Sequence, residues 1–374
     1  MKVAYITRST LFSIPGGDTI QIAQTAQHMI AAGIEIDIKL TDAYINYDQY
    51  DLLHFFNITR PADMLYHIKK SKKPFVVSSI FIDYSEYDQF HRKGVSGFLF
   101  RLLPVDTIEY CKAVAKWVLG KDKLISKELL WKGQRQSIIE ILKKASVLLP
   151  NSFSEYRRLA KRYGPKSKYF IVPNGINPHI FQFDPTIKKD PLLIVCAARI
   201  EGIKNQINLI KAVNNTKYRL LLIGNAAPNQ KDYYHECKKI ACANIEFIEN
   251  ITQTQLAGYY QRANIHVLPS WFETTGLSSL EAAAMGCKIV ITAKGDTTEY
   301  FKEAAFYCDP SSPKSIYTAI EKAFEDHSEN RIYENILSKY TWQQATIATL
   351  HAYEYVIKEY APSHRNFRNP RNTQ

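Results

Sequence analysis

The sequence is poor in the features that mark secreted, membrane-spanning and metal-binding proteins. Its six cysteines are scattered over 374 residues, and Cys237 and Cys242 lack a second pair or a nearby histidine at zinc-site spacing. We therefore expect reduced structural thiols and no bound metal. No apolar run approaches the ~20 residues of a transmembrane helix. Residues Met1 to Ile6 form a strand pattern without the cationic start of a signal peptide, which favours a cytoplasmic location.

Acidic residues are too few to balance the basic ones. The chain has 48 Lys and Arg against 36 Asp and Glu, a formal net charge of +12, which predicts an anionic partner. Many cations lie between His91 and Lys132, interleaved with Trp, Phe and Leu. This mixture suits a helical surface on the anionic inner face of a membrane, and equally a helical insertion with a solvated basic face. No known nucleic-acid-binding pattern accompanies the charge, so we expect no nucleic-acid partner.

The hydrophobic pattern predicts alternating strands and helices in two domains. A chain of 374 residues exceeds one typical core. The apolar strand Lys2–Thr7 is followed by a glycine-containing loop, a helix of about 19–32 and a strand at 34–38. A second series begins at residues 192–198, after a proline-punctuated connection. This order is typical of an α/β fold with parallel sheets.

The strongest local pattern is the stretch from Trp271 to Thr292. It predicts a loop, a helix from about Leu277 to Met285 that ends at Gly286, and an apolar strand at 289–291. The start of a helix carries unpaired N–H groups and partial positive charge, which suits a phosphate. The residues that form the turn before this helix are Thr274, Thr275 and Gly276.

Two carboxylates flank the start of this predicted helix. Glu273 lies on the preceding loop and Glu281 about one turn inside the helix. Both could face a ligand bound at the helix start, but they lie too far apart to act as a hydrolytic pair on one bond. An ordinary helix–strand unit with two exposed glutamates fits the same spacing equally well.

Two further positions are candidates for ligand binding. Arg199 and Lys204 lie on a short loop after a strand, where they could clamp a diphosphate; a solvated basic loop is the simpler interpretation of the spacing alone. His54 falls near the carboxyl end of a strand, where open α/β sheets bind ligands. A lone histidine there is more often a packed structural residue.

The motif E-T-T-G-L-S-S-L-E-A-A-A-M-G resembles the Glu-x7-Glu signature of family 4 retaining glycosyltransferases. The loop with Arg199, Lys204 and Asn205 resembles the family's G-R-x-x-x-x-K-N loop, with Ala198 in place of glycine. The resemblance implies an α/β GT-B fold, in which two Rossmann-like domains face a central cleft. It places the domains at residues 1–175 and 176–354, with a C-terminal helix of about 355–374 crossing back onto the first.

The first half resembles the family less closely. Gly16 and Gly17 match its G-G-x loop, with Asp18 as a mild departure, and the strand with His54 matches its D-x-x-H-x-H segment, followed by Asn57. Many members carry a sugar-contacting histidine where this sequence has Ile80, Phe81, Ile82 and Asp83. The residue that takes this role is left open among Asp83, Tyr84 and Glu86.

The resemblance also implies roles for the residues of the motifs. Arg199 and Lys204, helped by backbone amides at Thr275 to Leu277, would neutralise the diphosphate leaving group without a metal or cofactor. Glu273 would hold sugar hydroxyls, and Glu281 the ribose. Arg199, Lys204 and Glu273 are thus the predicted catalytic residues. The predicted substrate-binding residues are Gly16, Gly17, His54, Asn57, Asp83, Asn174, Thr274, Thr275, Gly276, Leu277 and Glu281.

The function predicted from the sequence is a retaining, metal-independent transfer of a hexose-type sugar from a nucleotide diphosphate sugar. UDP-linked donors are favoured over GDP-linked ones. The expected acceptor is a glycan or a lipid-linked molecule, in surface polysaccharide synthesis. Two alternatives stay open: a non-catalytic nucleotide-sugar-binding partner protein, suggested by the missing histidine, and a sugar epimerase of the same fold.

Overall fold

The computed structural model of the protein describes residues 1–91, 100–228, 230–327 and 332–364. The chain divides into two compact units. The first unit contains Met1–Phe81, Pro104–Pro173 and the chain from Gln343 onward, and the second contains Ile82–Leu103 and Asn174–Trp342.

The first unit is built on a parallel sheet of six strands with the order β2-β1-β3-β4-β5-β6. Its strands are β1 Lys2–Thr7, β2 Glu35–Leu40, β3 Leu52–Phe56, β4 Phe75–Ser78, β5 Val147–Leu148 and β6 Lys168–Tyr169. The central strands β3 and β4 are buried throughout, as expected for a parallel sheet covered on both faces. The helices that follow these strands are α1 Gly17–Ala31, α2 Pro61–Ser71, α3 Val105–Val118, α4 Leu129–Lys144 and α5 Phe153–Tyr163.

The second unit is also built on a parallel sheet of six strands, with the order β12-β11-β10-β7-β8-β9. Its strands are β7 Asp190–Ala197, β8 Arg219–Ile223, β9 Ile245–Ile248, β10 Ala263–Leu268, β11 Lys288–Thr292 and β12 Ala305–Cys308. Its helices are α6 Gln206–Val213, α7 Lys231–Ile240, α8 Gln253–Arg262, α9 Leu277–Ala284, α10 Thr297–Phe301, α11 Pro313–Glu325 and α12 Ile332–Lys339. In chain order this is the doubly wound arrangement, whose direction reverses between β7 and β10.

The last helix, α13 Trp342–His364, belongs to the first unit from Gln343 onward. It is anchored there by Tyr353, whose buried hydroxyl lies 2.6 Å from Nδ1 of His54 on β3. The predicted domain division at 175/176 and 354/355 stays a prediction. Within the second unit, Tyr84, Glu86 and His91 contact Phe272, Lys294 and Trp271 on its loops.

The predicted α/β class and its parallel sheets are confirmed, and the first predicted helix differs from the observed one at its ends. Helix α1 begins at Gly17, two residues early, because Gly16 lies in extended backbone and serves as its N-cap. The basic segment contains α3 and the first four residues of α4, while Arg92, Lys93, Phe98 and Leu99 lie outside the described residues. No helix in the described ranges is both long and apolar enough to span a membrane.

Candidate active site

The predicted catalytic residues lie at the reversal point of the second sheet. The loop after β7 carries Arg199 and Lys204, and the loop after β10 carries Glu273. Strands β7 and β10 are parallel neighbours, so both loops leave the same edge of the sheet. Open α/β sheets bind their ligands at this position, beyond the carboxyl ends of the strands.

Lys204 and Glu273 form a close ion pair at this edge. Nζ of Lys204 lies 2.5 Å from Oε1 of Glu273, and the Glu273 side chain is only 8% exposed. Burial alone would lower the pKa of the Lys204 ammonium, but the charge of Glu273, with a contribution from Tyr84, raises it above its ordinary value. Lys204 is therefore held as a cation in a low-dielectric environment, where it interacts strongly with a charged ligand.

The loop that carries Lys204 is fixed by its neighbour Asn205. This residue adopts a left-handed backbone conformation, with φ of 61°, which asparagine tolerates better than most residues. Its side-chain Nδ2 donates to the carbonyl of Pro269, at 3.0 Å, and to that of Pro310, at 2.7 Å. The side-chain amide of Asn205 thus links the loop after β7 to the end of β10. This contact fixes the position of the neighbouring residue Lys204.

The Glu273 loop is joined to the loop after β11 by backbone contacts. The Glu273 N–H donates to the carbonyl of Lys294, and the Asp296 N–H donates to the carbonyl of Glu273. Gly295 lies between them with φ of 102°, and a Cβ atom there would lie 1.9 Å from the Glu273 carbonyl oxygen. Glycine is therefore required sterically at position 295 for Glu273 to occupy its place.

The start of α9 carries backbone N–H groups that no side chain caps. Gly276 precedes the helix in the left-handed region, with φ of 68°, and no side chain caps the helix. The Thr275 hydroxyl is buried, accepts from Nδ2 of Asn174 at 3.1 Å and donates to the Tyr300 hydroxyl at 3.3 Å. These contacts place Asn174 and Thr275 as supports of the turn, while Thr274 and Leu277 stay half-buried beside it.

Glu281 is a buried carboxylate on α9. No hydrogen-bond donor or cation among the described residues pairs with it, and burial raises its pKa from 4.5 to about 8. A buried acid without a partner is costly in its charged form. Such groups concentrate at functional sites, and a ligand hydroxyl is a suitable partner for this one.

Arg199 is placed differently from Lys204. It is exposed, and its Nη2 lies 2.9 Å from Oε1 of Glu201. This is a surface ion pair of the kind that contributes little to stability. Arg199 could therefore leave Glu201 and bind a ligand with little loss of folding stability.

Residues 82–91 pack over the same loops of the second unit. The His91 ring stacks on Trp271 with ring centres 3.5 Å apart, and Glu86 pairs with Lys294. The Tyr84 ring contacts Phe272 edge-on. Asp83 accepts from the backbone N–H of Ser85 at 3.0 Å. Of the three candidates for the missing histidine's role, Tyr84 therefore packs against Phe272, the residue that precedes Glu273.

Sequence reasoning missed Lys294 as a neighbour of this site, and it missed the contact between Trp271 and His91. Lys294 could have been found from its position directly after β11, at the same carboxyl edge as the other two loops. The stacking of His91 on Trp271 gave no signal, because the two residues are 180 positions apart in the sequence and share no motif.

Two of the residues of the first unit that were predicted to bind a ligand, Gly16 and His54, have no feature in the structure that indicates ligand binding. Gly16 has φ of −150°, which any residue adopts, so the structure gives no conformational reason for the Gly16–Gly17 pair. His54 is buried, with Nδ1 against the Tyr353 hydroxyl and Nε2 2.8 Å from Oγ of Ser78. Burial lowers its pKa to about 3. With both nitrogens occupied, His54 fits the packed structural histidine that the sequence left open as an alternative.

Part of the second unit matches the model of a known protein family. Residues 179–339 match the family described as glycosyl transferases group 1. They include the three predicted catalytic residues and all of α9.

The solved structures similar to this chain share its two-sheet architecture over nearly its whole length. The sucrose-phosphate synthase of Thermosynechococcus elongatus has a TM-score of 0.74 at 16% identity, and the alignment covers 96% of this chain and all of that one. The Anabaena protein HepE in complex with UDP-glucose has a TM-score of 0.66 at 14% identity and covers 97% of this chain and all of that one. The fold is GT-B, as predicted.

Among curated proteins, an uncharacterized glycosyltransferase of Methanocaldococcus jannaschii is 22% identical over 217 residues. The match covers 52% of this chain and 56% of the relative. The chain spans about half the length of the curated relatives that it matches.

Proposed function

We propose that the protein is a glycosyltransferase that moves a hexose-type sugar from a nucleotide diphosphate sugar to a glycan or lipid-linked acceptor. The observation that carries this proposal is the buried Lys204–Glu273 pair at the reversal point of the second sheet. A fixed cation and a fixed carboxylate, 2.5 Å apart, provide one group for a diphosphate and one for sugar hydroxyls. The family match over residues 179–339 supports the reaction class.

The chemistry follows from these charges. When the bond between sugar and diphosphate breaks, negative charge grows on the leaving phosphate. Lys204 and Arg199 would stabilise this charge, together with the uncapped start of α9, because all three are cationic or carry a positive partial charge before the reaction begins. No metal or cofactor is required by this arrangement. We propose retention of the anomeric configuration and assign no nucleophile.

The donor proposed is a UDP-sugar, with a GDP-sugar as the second choice. Solved structures similar to this chain are complexes with UDP and UDP-glucose. The unpartnered carboxylate of Glu281 would accept hydrogen bonds from the ribose hydroxyls. Such bonds would stabilise its ionised form, which burial otherwise disfavours.

The acceptor is proposed to be held near an anionic membrane, in surface polysaccharide synthesis in the cytoplasm. The end of α3 exposes an apolar group, Val118 and Leu119, and Leu119 is 67% exposed. Three lysines follow it closely in the chain, namely Lys121, Lys123 and Lys127. Exposed apolar side chains beside cations suit the surface of an anionic bilayer.

The first experiment measures nucleotide release from UDP-, GDP- and ADP-sugars, with and without a crude polyprenyl-linked glycan extract. Wild type is compared with Lys204→Ala and Glu281→Ala, and with Lys211→Ala, an exposed lysine of α6, as the control. We expect release from one donor that both site variants abolish and the control retains. Tight nucleotide binding without release would favour a non-catalytic binding protein, and isomerised donor without free nucleotide would favour an epimerase.

The membrane proposal has a separate test. Sedimentation with vesicles containing anionic lipid at low salt should recover the wild type, and Leu119→Ser should be recovered less. Ile347→Ser, which changes an apolar residue of α13 that is 58% exposed, is the matched control. No recovery of the wild type, or equal loss in both variants, would remove the membrane contact from the proposal.

A further inference from the structure

The first unit contains a polar pocket at the carboxyl end of β3. It has a volume of about 210 Å³ and is lined by side chains of the β3–α2 loop, α3 and α4, among them Asn57, Arg60, Lys116, Asp122 and Gln134. This volume is below the roughly 300–1,000 Å³ of sites for drug-sized ligands. The pocket therefore suits a small ligand, of the size of one sugar residue.

Arg60 is held rigidly at one wall of the pocket. Its Nε lies 2.7 Å from Oδ2 of Asp63, and its Nη2 lies 2.9 Å from Oδ2 of Asp122. Arg60 also occupies the N-cap position of α2, where no side chain caps the helix and Pro61 is the first helical residue. The guanidinium and the positive end of the helix therefore meet at the same wall.

Gln134 supplies the observation that indicates a ligand. Its Nε2 donates to the Thr59 carbonyl at 2.7 Å, which fixes the orientation of the amide. Its Oε1 is buried and has no hydrogen-bond partner in the described parts of the chain, although the residue is only 3% exposed. A buried acceptor without a partner costs about 1–3 kcal/mol. A hydroxyl group of a bound molecule would satisfy this oxygen.

Among the charged side chains that line the pocket, one cation has no ion-pair partner in the described parts of the chain. Its lining contains Arg60, Lys112, Lys116 and Lys123 against Asp63, Glu109 and Asp122. Arg60 is paired as described, Lys112 lies 2.9 Å from Glu109, and Lys123 lies 2.8 Å from Asp42. Nζ of Lys116 has no ion pair within the described ranges.

The environment of Lys116 is unfavourable for its charge. The residue as a whole is exposed, but burial of its ammonium and then the neighbouring charge of Arg60 lower its pKa. A cation in this situation gains when an anion is brought close to it.

We propose that this pocket binds a small polyol that carries one anionic group, either a sugar phosphate or a sugar acid. Lys116 would face the anionic group. The Gln134 Oε1 and the carboxylates of Asp63 and Asp122 would accept from hydroxyls. On the basis of the proposed function, the bound molecule is the acceptor of the transferred sugar, or the terminal residue of that acceptor.

Calorimetric titration of the full chain, without any donor, tests the pocket separately from the enzyme activity. The probes are glucose 6-phosphate, glucuronate, glucose and inorganic phosphate. We expect one or both anionic sugars to bind at least about tenfold more tightly than glucose and phosphate, because neither of these has both the charge and the hydroxyls. Equal binding of phosphate and the anionic sugars, or binding of none of the four, would overturn the proposal. Tighter binding of glucose 6-phosphate would identify the anionic group as a phosphate, and tighter binding of glucuronate would identify it as a carboxylate.

A lysine pair provides the control. Lys116→Met should weaken binding of the anionic sugar about tenfold or more, the effect of losing one charge-assisted hydrogen bond. Lys143→Met removes the same charge from an exposed position outside the pocket lining and should leave binding unchanged. Equal effects of the two changes would show that only net charge matters, and would overturn the pocket assignment.

The acceptor role is tested by adding the bound molecule to the nucleotide-release assay. Stimulated release supports it. Binding in the calorimeter without stimulation would keep the pocket and overturn its role as an acceptor site. Binding with no release from any donor would instead contradict the proposed function of the chain.

Discussion

The buried carboxylate of Glu281 predicts an unusual dependence of stability on pH. Burial raises its pKa from 4.5 to about 8 in the folded chain, so between these values the folded state holds a proton that the unfolded state has released. The contribution of Glu281 to the free energy of unfolding is therefore fully present below pH 4.5, where the group is protonated in both states. This contribution is lost as the pH rises toward 8. At roughly 1.4 kcal/mol per pH unit, the loss at pH 8 is on the order of 4 kcal/mol.

The substitution Glu281→Gln isolates this effect, since glutamine keeps the shape and remains neutral. Relative to wild type, the variant should gain about 3–4 kcal/mol between pH 5 and pH 8. For a unit of this size, that gain corresponds to a rise of roughly 10 °C in thermal midpoint. The comparison of variant with wild type at each pH cancels the contributions of all other titrating groups.

The assay is thermal unfolding of wild type and Glu281→Gln at pH 5 and pH 8, with and without UDP. A nucleotide whose hydroxyls bond the carboxylate should stabilise the wild type more at pH 8 than at pH 5, because it favours the ionised form. It should stabilise the variant equally at both values. A constant difference between variant and wild type across this range would refute the assigned burial and lack of partners of Glu281.

Three further predictions concern Lys204, Gly295 and His54. Lys204→Ala should destabilise the second unit by about 3–5 kcal/mol in urea unfolding, because it leaves the buried Glu273 carboxylate unpaired. Adding Glu273→Gln to this variant should recover part of the lost stability. No recovery in the double variant would contradict the pairing. Gly295→Ala should lower the thermal midpoint and the nucleotide affinity, because the added Cβ would lie 1.9 Å from the Glu273 carbonyl oxygen. The control is Gly258→Ala, whose Cβ would meet nothing within 4 Å. This variant should change neither the thermal midpoint nor the affinity. The pKa of His54 is lowered from 6.5 to about 3 by burial, so the unfolded chain takes up a proton first and stability should fall by about 2 kcal/mol from pH 7 to pH 5. Thermal unfolding of His54→Phe should lack this part of the acid sensitivity, and an unchanged pH profile would show that His54 is not buried neutral.

The sequence predicted most of what lies on single elements. The helix of the Glu-x7-Glu motif was placed at about Leu277 to Met285 and is found at Leu277–Ala284. Such elements are predictable because apolar spacing, a preceding glycine turn and a following glycine are all local. The carboxyl-edge positions of Lys204 and Glu273 were also accessible, since parallel strands bring their following loops to one edge. Their assigned roles in transfer stay predictions.

Long-range packing decided the rest, because it joins residues that no local pattern connects. His54 matched a family segment, yet its partner Tyr353 lies 299 residues away and occupies one of its nitrogens. Residues 82–91 pack on the second unit through Trp271 and Lys294, which composition could not show. The unpaired Lys116 and the unsatisfied Gln134 oxygen emerge only when every neighbouring partner is known. By itself, the sequence determined the strands, the helices and the chemical types available to the site; the tertiary structure decided which of these groups are paired, buried or open to a ligand.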